Sequence, residues 1–356
     1  MESGQIAINN AEKPAWRENP FSLKILPQLF VGYSEELNSL VNAMENNEKI
    51  VMLIGPTGAG KTTLLRKLID TVDSGTAVLY VTKPPERPED FVILFKSVLK
   101  PSFFERILSM DKITLYDLAN YVNRKLKTKK MVILVDECHE APTDVLEWLR
   151  TISDQVNNLS VIMAGLPGLE TMLEQKLETL LNRVTVHVEL TSLSREEVEE
   201  LIRKRIEFAG GTGTGPFSRE AIDVIYERTG GFPRNVLKMC DDLISENKGK
   251  SLVIDKTTAE STKPPETAPV NLNFIETLPE KQKEILKLLA ISGPLSPSEI
   301  AEKMGLEDYK TEDHASRSVN NILRRLMEGD CLLREKHGKG FVYKLSPKVR
   351  TLLATT

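Results

Sequence analysis

Five short apolar runs, separated by longer mixed stretches, mark the first half of the chain. They fall at 50–54 (Ile-Val-Met-Leu-Ile), 77–82 (Ala-Val-Leu-Tyr-Val-Thr), 131–135 (Met-Val-Ile-Leu-Val), 160–164 (Ser-Val-Ile-Met-Ala) and 184–188. Runs of this length predict strands, and short apolar strands alternating with amphipathic helices predict a parallel sheet covered by helices on both faces. This α/β block is expected over 20–190. Over 191–254 no strand is predicted, and helices are expected at 194–209, 218–229 and 233–247. Ser194 followed by Glu196 and Glu197 suits a helix start, while Gly210-Gly211 and Gly230-Gly231-Phe232-Pro233 are stops.

The pattern fades over 255–273, where Thr257-Thr258, Ser261-Thr262 and Pro264-Pro265 read as a linker. It returns over 274–356, with helices at 279–291, 297–304 and 312–328, a hairpin at 331–345 and a short tail helix. Residues 1–19 are polar, contain no signal-peptide core and read as a flexible arm.

The first run leads straight into Gly55-Pro56-Thr57-Gly58-Ala59-Gly60-Lys61-Thr62, and a helix starting with Thr63-Leu64-Leu65 follows. This is the G-x-x-x-x-G-K-[ST] phosphate loop between a buried strand and a helix. Glycines let backbone N–H groups turn inward around a polyphosphate, and the helix points its positive dipole end at the same anion. Residues 55–63 are therefore expected to hold ATP, with Lys61 on the terminal phosphates and the Thr62 hydroxyl on Mg²⁺. Asp136-Glu137 follows the buried run 131–135. Asp136 would hold Mg²⁺ through water, and Glu137 would orient the attacking water. Asp136-Glu137-Cys138-His139 also spells the DExH box of helicases, but no helicase motif or second motor domain follows, and His139 is expected at the surface. Arg234 opens a helix, an unfavourable place for a cation that a ligand anion would explain.

Length, composition and charge narrow the class. The 356 residues allow two or three domains, and the 28% charged content is that of a folded soluble protein. A net charge of −4 argues against a surface that coats nucleic acid throughout, yet permits a local basic patch. Cys138, Cys240 and Cys331 are too scattered for a disulfide or metal framework, and no apolar run approaches membrane-spanning length, so a cytoplasmic location is expected.

These stretches together resemble the AAA+ superfamily, in particular its ExeA/TniB/TnsC-type branch, with the origin-recognition ATPases as neighbours. The likeness is carried by Asn19-Pro20-Phe21, the 51–65 loop, Asp136 to His139 with Leu146 to Arg150, Ala164-Gly165-Leu166-Pro167, Leu181 to Gly211, and Gly230 to Asp241, which includes Gly-Phe-Pro-Arg. The resemblance implies a P-loop NTPase sheet with a helical lid. It makes Lys61, Glu137, Arg183 and Arg234 the catalytic set, with Arg183 as a finger facing a neighbouring subunit and Arg234 as the second sensor. Two positions depart from the family: Leu166 stands where that branch often has Gln, leaving no polar first sensor, and Tyr33 stands where relatives often carry Arg.

The third block resembles a winged helix-turn-helix. Leu295 to Leu306 has a serine lead-in, a proline in the first turn and a closing glycine. Helix 312–328 offers Ser316, Arg317, Asn320, Asn321 and Arg324 on its polar faces, and the hairpin tip offers Lys336, His337 and Lys339. From His314 to Arg350 nine bases face three acids, a net of +6 on a chain that is −4 overall. Double-stranded DNA is the expected partner, with the helix in the major groove and the wing on the backbone. The expected function is an ATP-binding and hydrolysing homo-oligomer, with nucleotide at subunit interfaces, that assembles on DNA in replication initiation, transposition targeting or genome partition. The alternative is a nucleotide-gated regulator whose winged helix binds DNA or protein without assembly.

Overall fold

Strands Ile50–Ile54 (β1), Ala77–Val81 (β2), Met131–Val135 (β3), Leu159–Gly165 (β4) and Val184–Glu189 (β5) pair in parallel as one sheet, ordered β2-β3-β4-β1-β5. The computed structural model describes residues 16–100, 113–247, 253–262, 278–304, 312–328, 331–337, 340–346 and 349. The chain divides into two units, 25–191 and 192–356 with 1–24. The first unit holds the whole sheet.

Burial follows strand position. Every residue of β1, β3 and β4 is buried, because helices cover both faces at the centre. The edge strands β2 and β5 bury only alternate or scattered positions. The covering helices of this unit are Ser34–Glu45 (α1), Lys61–Thr71 (α2), Asp90–Val98 (α3), Leu118–Leu126 (α4), Thr143–Gln155 (α5), Gly168–Lys176 (α6) and Glu178–Leu181 (α7). One large apolar cluster joins β3 and β4 to α3, α4 and α5. Phe91 of α3 stacks on Trp148 of α5 at 4.6 Å between ring centroids, and Phe95 meets the same indole edge-on.

The strand order places the C-terminal ends of β1 and β3 on the same edge of the sheet with only β4 between them. Segments that follow those two strands can therefore meet over the end of β4.

The second unit begins with Arg195–Phe208 (α8), Arg219–Thr229 (α9) and Pro233–Glu246 (α10). Ser194 and Glu197 form a reciprocal capping box that starts α8, and the Ser218 hydroxyl caps α9. Gly231 has φ +73°, and a Cβ there would lie 2.3 Å from the Leu193 carbonyl oxygen, so only glycine fits the α9–α10 turn. Two expectations change here. Residues 16–19 of the expected arm are tied down: Arg17 N–H donates to Ala209 O (2.8 Å) and Asn19 donates to Asp241 (2.8 Å), just before buried Phe21, which meets Phe217 edge-on at 5.5 Å. Part of the expected linker is also ordered: Lys256–Ser261 forms a helix (α11) with Ala259 buried, and the carbonyls of Ala259 and Thr262 accept from Arg228, while 263–273 lie outside the described residues. Polar composition hid both segments, since each is held by backbone hydrogen bonds and one or two apolar anchors.

The last block contains Glu280–Ser292 (α12), Pro297–Lys303 (α13), Glu312–Glu328 (α14) and the antiparallel strands Leu332–His337 (β6) and Gly340–Leu345 (β7). Its own core includes Ile285, Ile300, Val319, Leu323 and Tyr343. Leu295 exchanges two backbone hydrogen bonds with Tyr343, at 3.0 and 2.8 Å, adding a short third rung to the hairpin. Most of the expected tail helix lies outside the described residues. Among the described residues no helix is long and apolar enough to cross a membrane.

Phe91→Ala removes a fully buried ring and the partner of Trp148, and should destabilise the sheet unit by about 3–5 kcal/mol. Denaturant unfolding followed by tryptophan fluorescence checks this; a loss below about 1 kcal/mol would mean that the stack is not part of the core.

Candidate functional site

The phosphate-loop motif leaves the end of β1 and closes into α2. Its shape depends on glycines at particular places. A Cβ on Gly55 would meet the Leu190 carbonyl oxygen at 2.9 Å, where the chain leaves β5. Gly58 and Gly60 have φ of +83° and +107°, and Gly60 is the N-cap of α2. Left-handed glycines let such a loop turn its amides toward a concave anion site, and within it the Ala59 N–H donates to Pro56 O at 3.2 Å. Lys61 is buried at 7% exposure, and its ammonium donates to the carbonyls of Gly55 (2.7 Å) and Pro56 (3.1 Å).

Thr62 and Asp136 lie 74 residues apart in the chain and meet at the site. The Thr62 hydroxyl donates to Asp136 Oδ2 at 2.7 Å, and Asp136 is 2% exposed at the end of β3. The Glu137 N–H donates to the other carboxylate oxygen at 3.0 Å. Glu137 itself adopts the left-handed region, with φ +53°, and its side chain is partly exposed beside the pair. A non-glycine residue there costs about 1–2 kcal/mol, and such strain clusters at working positions.

Two contributors escaped sequence reasoning. Tyr80 on β2 points its hydroxyl at Asp136 Oδ2 at 3.4 Å, and Arg66, one turn along α2, lies near the same phenol. Burial and the nearby Asp136 charge raise the Tyr80 pKa, so the phenol keeps its proton and remains a donor. The β2–β3 register pairs Tyr80 with Leu134, two residues before Asp136, and no spacing along the chain announces that.

His139 is the second. It was expected at the surface, yet it sits on a 3-10 turn (Cys138–Glu140) with its Nδ1 buried and without a hydrogen-bond partner. Glu137 Oε2 is 3.5 Å away. Cys138 anchors that turn from inside: it is fully buried, its thiol faces the Val135 carbonyl at 3.3 Å, and burial pushes its pKa far up.

Tyr33, at a position where an arginine is often found, is a buried strut. It has φ +54°, its ring packs by Gly60, and its hydroxyl donates to Thr191 O at 2.7 Å. Leu166 follows β4 and offers no polar group.

Arg183 is not brought to this cluster within one copy. It precedes β5, and the first residue of that strand pairs with Ile50 at the start of β1, whereas the loop follows the end of β1. Five strand residues, roughly 16 Å, separate the two edges. Arg183 pairs there with Asp154 at 2.5 Å. Arg234 is exposed in the first turn of α10, which carries no acid. Asn320, Asn321 and Arg324 are exposed on α14, which also contains Ser316 and Arg317. Lys336 and His337 lie on β6 opposite Phe341 and Gly340, and Lys339 falls outside the described residues. The Arg334 guanidinium lies 4.4 Å over the Phe341 ring, a second feature of the hairpin that composition did not reveal.

Comparison with known proteins adds a domain match and two relatives. Residues 44–173 match the AAA domain. General secretion pathway protein A of Aeromonas hydrophila is 29% identical over 63% of this chain and 42% of its own length, so the matched stretch spans less than half of that relative. An uncharacterised HTH-type transcriptional regulator of Methanocaldococcus jannaschii is 25% identical over 99% of this chain and 96% of its own. Two solved structures share the fold. The ORC2 protein of Aeropyrum pernix in its ADPNP-ADP complexes has a TM-score of 0.56 at 14% identity, covering 95% of this chain and 96% of that one. The ORC1 protein of Aeropyrum pernix in complex with DNA has a TM-score of 0.50 at 16% identity, covering 97% of each chain.

Gly60→Ala forces a side chain into φ +107° and should cost about 1–3 kcal/mol at the loop. Binding of a fluorescent ATP analogue should weaken at least tenfold while the far-UV spectrum stays unchanged. Wild-type affinity in this variant would separate the loop from nucleotide binding.

Proposed function

We propose that this chain, whose residues 44–173 match the AAA domain, binds and hydrolyses magnesium-ATP between copies of itself and assembles on double-stranded DNA. The observation that carries this reading is the Thr62–Asp136 hydrogen bond beside the glycine-built loop. A hydroxyl and a carboxylate 2.7 Å apart are hard oxygen donors of the kind Mg²⁺ takes, and wound amides with a buried ammonium suit a polyphosphate. The residues present therefore fit both groups. When bound there, Mg²⁺ neutralises charge developing on the phosphates.

The rest of the chemistry falls to side chains. Lys61 gives up its two carbonyl partners for the terminal phosphates. Glu137 orients and polarises the attacking water. Arg183 acts in trans, since its place at the far edge of the sheet denies it the loop of its own copy. Its ion pair with Asp154 is no barrier: the two side chains are 51% and 33% exposed, and such a pair contributes about 0–1 kcal/mol. Arg234 reads the nucleotide from the helical segment that follows the sheet. We place the protein in the cytoplasm, in keeping with its three free cysteines.

We assign DNA binding to the last block as a winged helix. Three helices, a hairpin and the Leu295–Tyr343 rung follow that plan, with α14 as recognition helix and β6–β7 as wing. The HTH-type relative, matched along nearly its whole length, supports the assignment.

Molecular mass measured with magnesium-ATP, with and without duplex DNA, tests the assembly. A steep nucleotide-dependent rise is expected, abolished by Lys61→Ala and locked in by Glu137→Gln, which should bind ATP yet turn over at least a hundredfold more slowly. Copies that stay single while gaining DNA affinity would make the protein a nucleotide-gated regulator instead. Arg324→Ala with Lys336→Ala should weaken duplex binding and reduce the slope of log affinity against log salt by about 2. An unchanged slope would move the DNA contact elsewhere.

A further inference from the structure

We infer that His139 is the positioning residue of the hydrolytic site, holding the Glu137 carboxylate through its Nδ1–H. This rests on the reading of Glu137 as the water-orienting base. Three observations converge on it.

The first is the imidazole itself. Its Nδ1 is buried and has no hydrogen-bond partner, an arrangement that is unfavourable unless a partner arrives. Glu137 Oε2 lies 3.5 Å away, just beyond a hydrogen bond. A small side-chain rotation closes that gap, and catalytic hydrogen bonds often tighten only when substrate arrives.

The second is the rigidity of the support. The 3-10 turn is closed by Glu140 N–H to Glu137 O (2.9 Å) and Ala141 N–H to Cys138 O (3.1 Å). Buried Cys138 fixes it from below, and a Lys83–Glu140 ion pair at 3.2 Å spans its outer side. Glu137 sits in the left-handed region at the head of the same turn, so the carboxylate and the imidazole are presented by one braced unit.

The third is location. A Cβ built on Gly165 would lie 3.4 Å from the His139 backbone nitrogen. His139 therefore stands against the end of β4, where Leu166 leaves this chain without a polar side chain. An imidazole delivered from the neighbouring turn supplies a polar group at that edge.

An Asn side chain can put its amide where Nδ1 sits, whereas Gln reaches toward Nε2. His139→Ala and His139→Gln should therefore lower kcat by ~10- to 100-fold with nucleotide affinity within about twofold of wild type, and His139→Asn should recover most of the rate. Side-chain ¹⁵N spectra of the histidines, assigned through the His139→Asn variant, should show the Nδ1–H tautomer at His139 and its loss in Glu137→Ala. Wild-type kcat in His139→Ala, or a tautomer indifferent to Glu137, would overturn the inference. If the wild-type protein binds ATP but does not turn it over, the hydrolytic reading fails, and the tautomer measurement still decides whether His139 holds Glu137.

Discussion

The Thr62–Asp136 hydrogen bond joins two strands that are not neighbours. β4 lies between β1 and β3, so the loop after β1 and the acid after β3 can meet only over the end of β4. That crossing explains several otherwise separate features. β4 ends in Gly165, whose carbonyl accepts from Gly55 N–H at 3.3 Å and whose missing side chain keeps Leu169 and the His139 turn close. β5 ends under Gly55, where a side chain would strike Leu190. The glycines at this edge are consequences of three strand ends converging on one point.

Energetically, the two ends of the sheet do different work. Apart from Ser160 near the start of β4, the interior of β1, β3 and β4 is apolar and contributes stability through burial. The C-terminal edge spends part of that stability. It holds a buried ammonium, a 2%-exposed carboxylate, a left-handed glutamate and an imidazole nitrogen without a partner. Each is unfavourable by itself, and together they form a polar cluster that the surrounding core is rigid enough to keep in place.

Much of this was legible along the chain. All five strands fall within a residue or so of the apolar runs, because continuous burial selects Val, Ile, Leu and Met at consecutive positions. The alternation of Val184, Val186 and Val188 with Thr185, His187 and Glu189 even marks β5 as an edge. The loop and the acidic pair are legible because their chemistry demands particular residue types at fixed local spacing. Residues 16–19 and the helix at 256–261 were misread as arm and linker, since a few hydrogen bonds and single anchors such as Asn19 and Ala259 leave no periodic trace. His139, read as a surface residue, stays partly exposed but buries its Nδ1, which depends on what packs over the turn.

The amino-acid sequence by itself determined which segments become strands and helices, where the phosphate loop and its acids lie, and which stretch gathers the positive charge. Those properties depend on side chains within a few positions of each other, so they survive as local pattern. Only the tertiary structure decided that β4 separates β1 from β3, that Tyr80 and His139 join Asp136 and Glu137, and that Arg183 lies at the opposite edge from the loop of its own copy. Strand order and register arise from contacts between residues tens of positions apart, whose energies no single segment records.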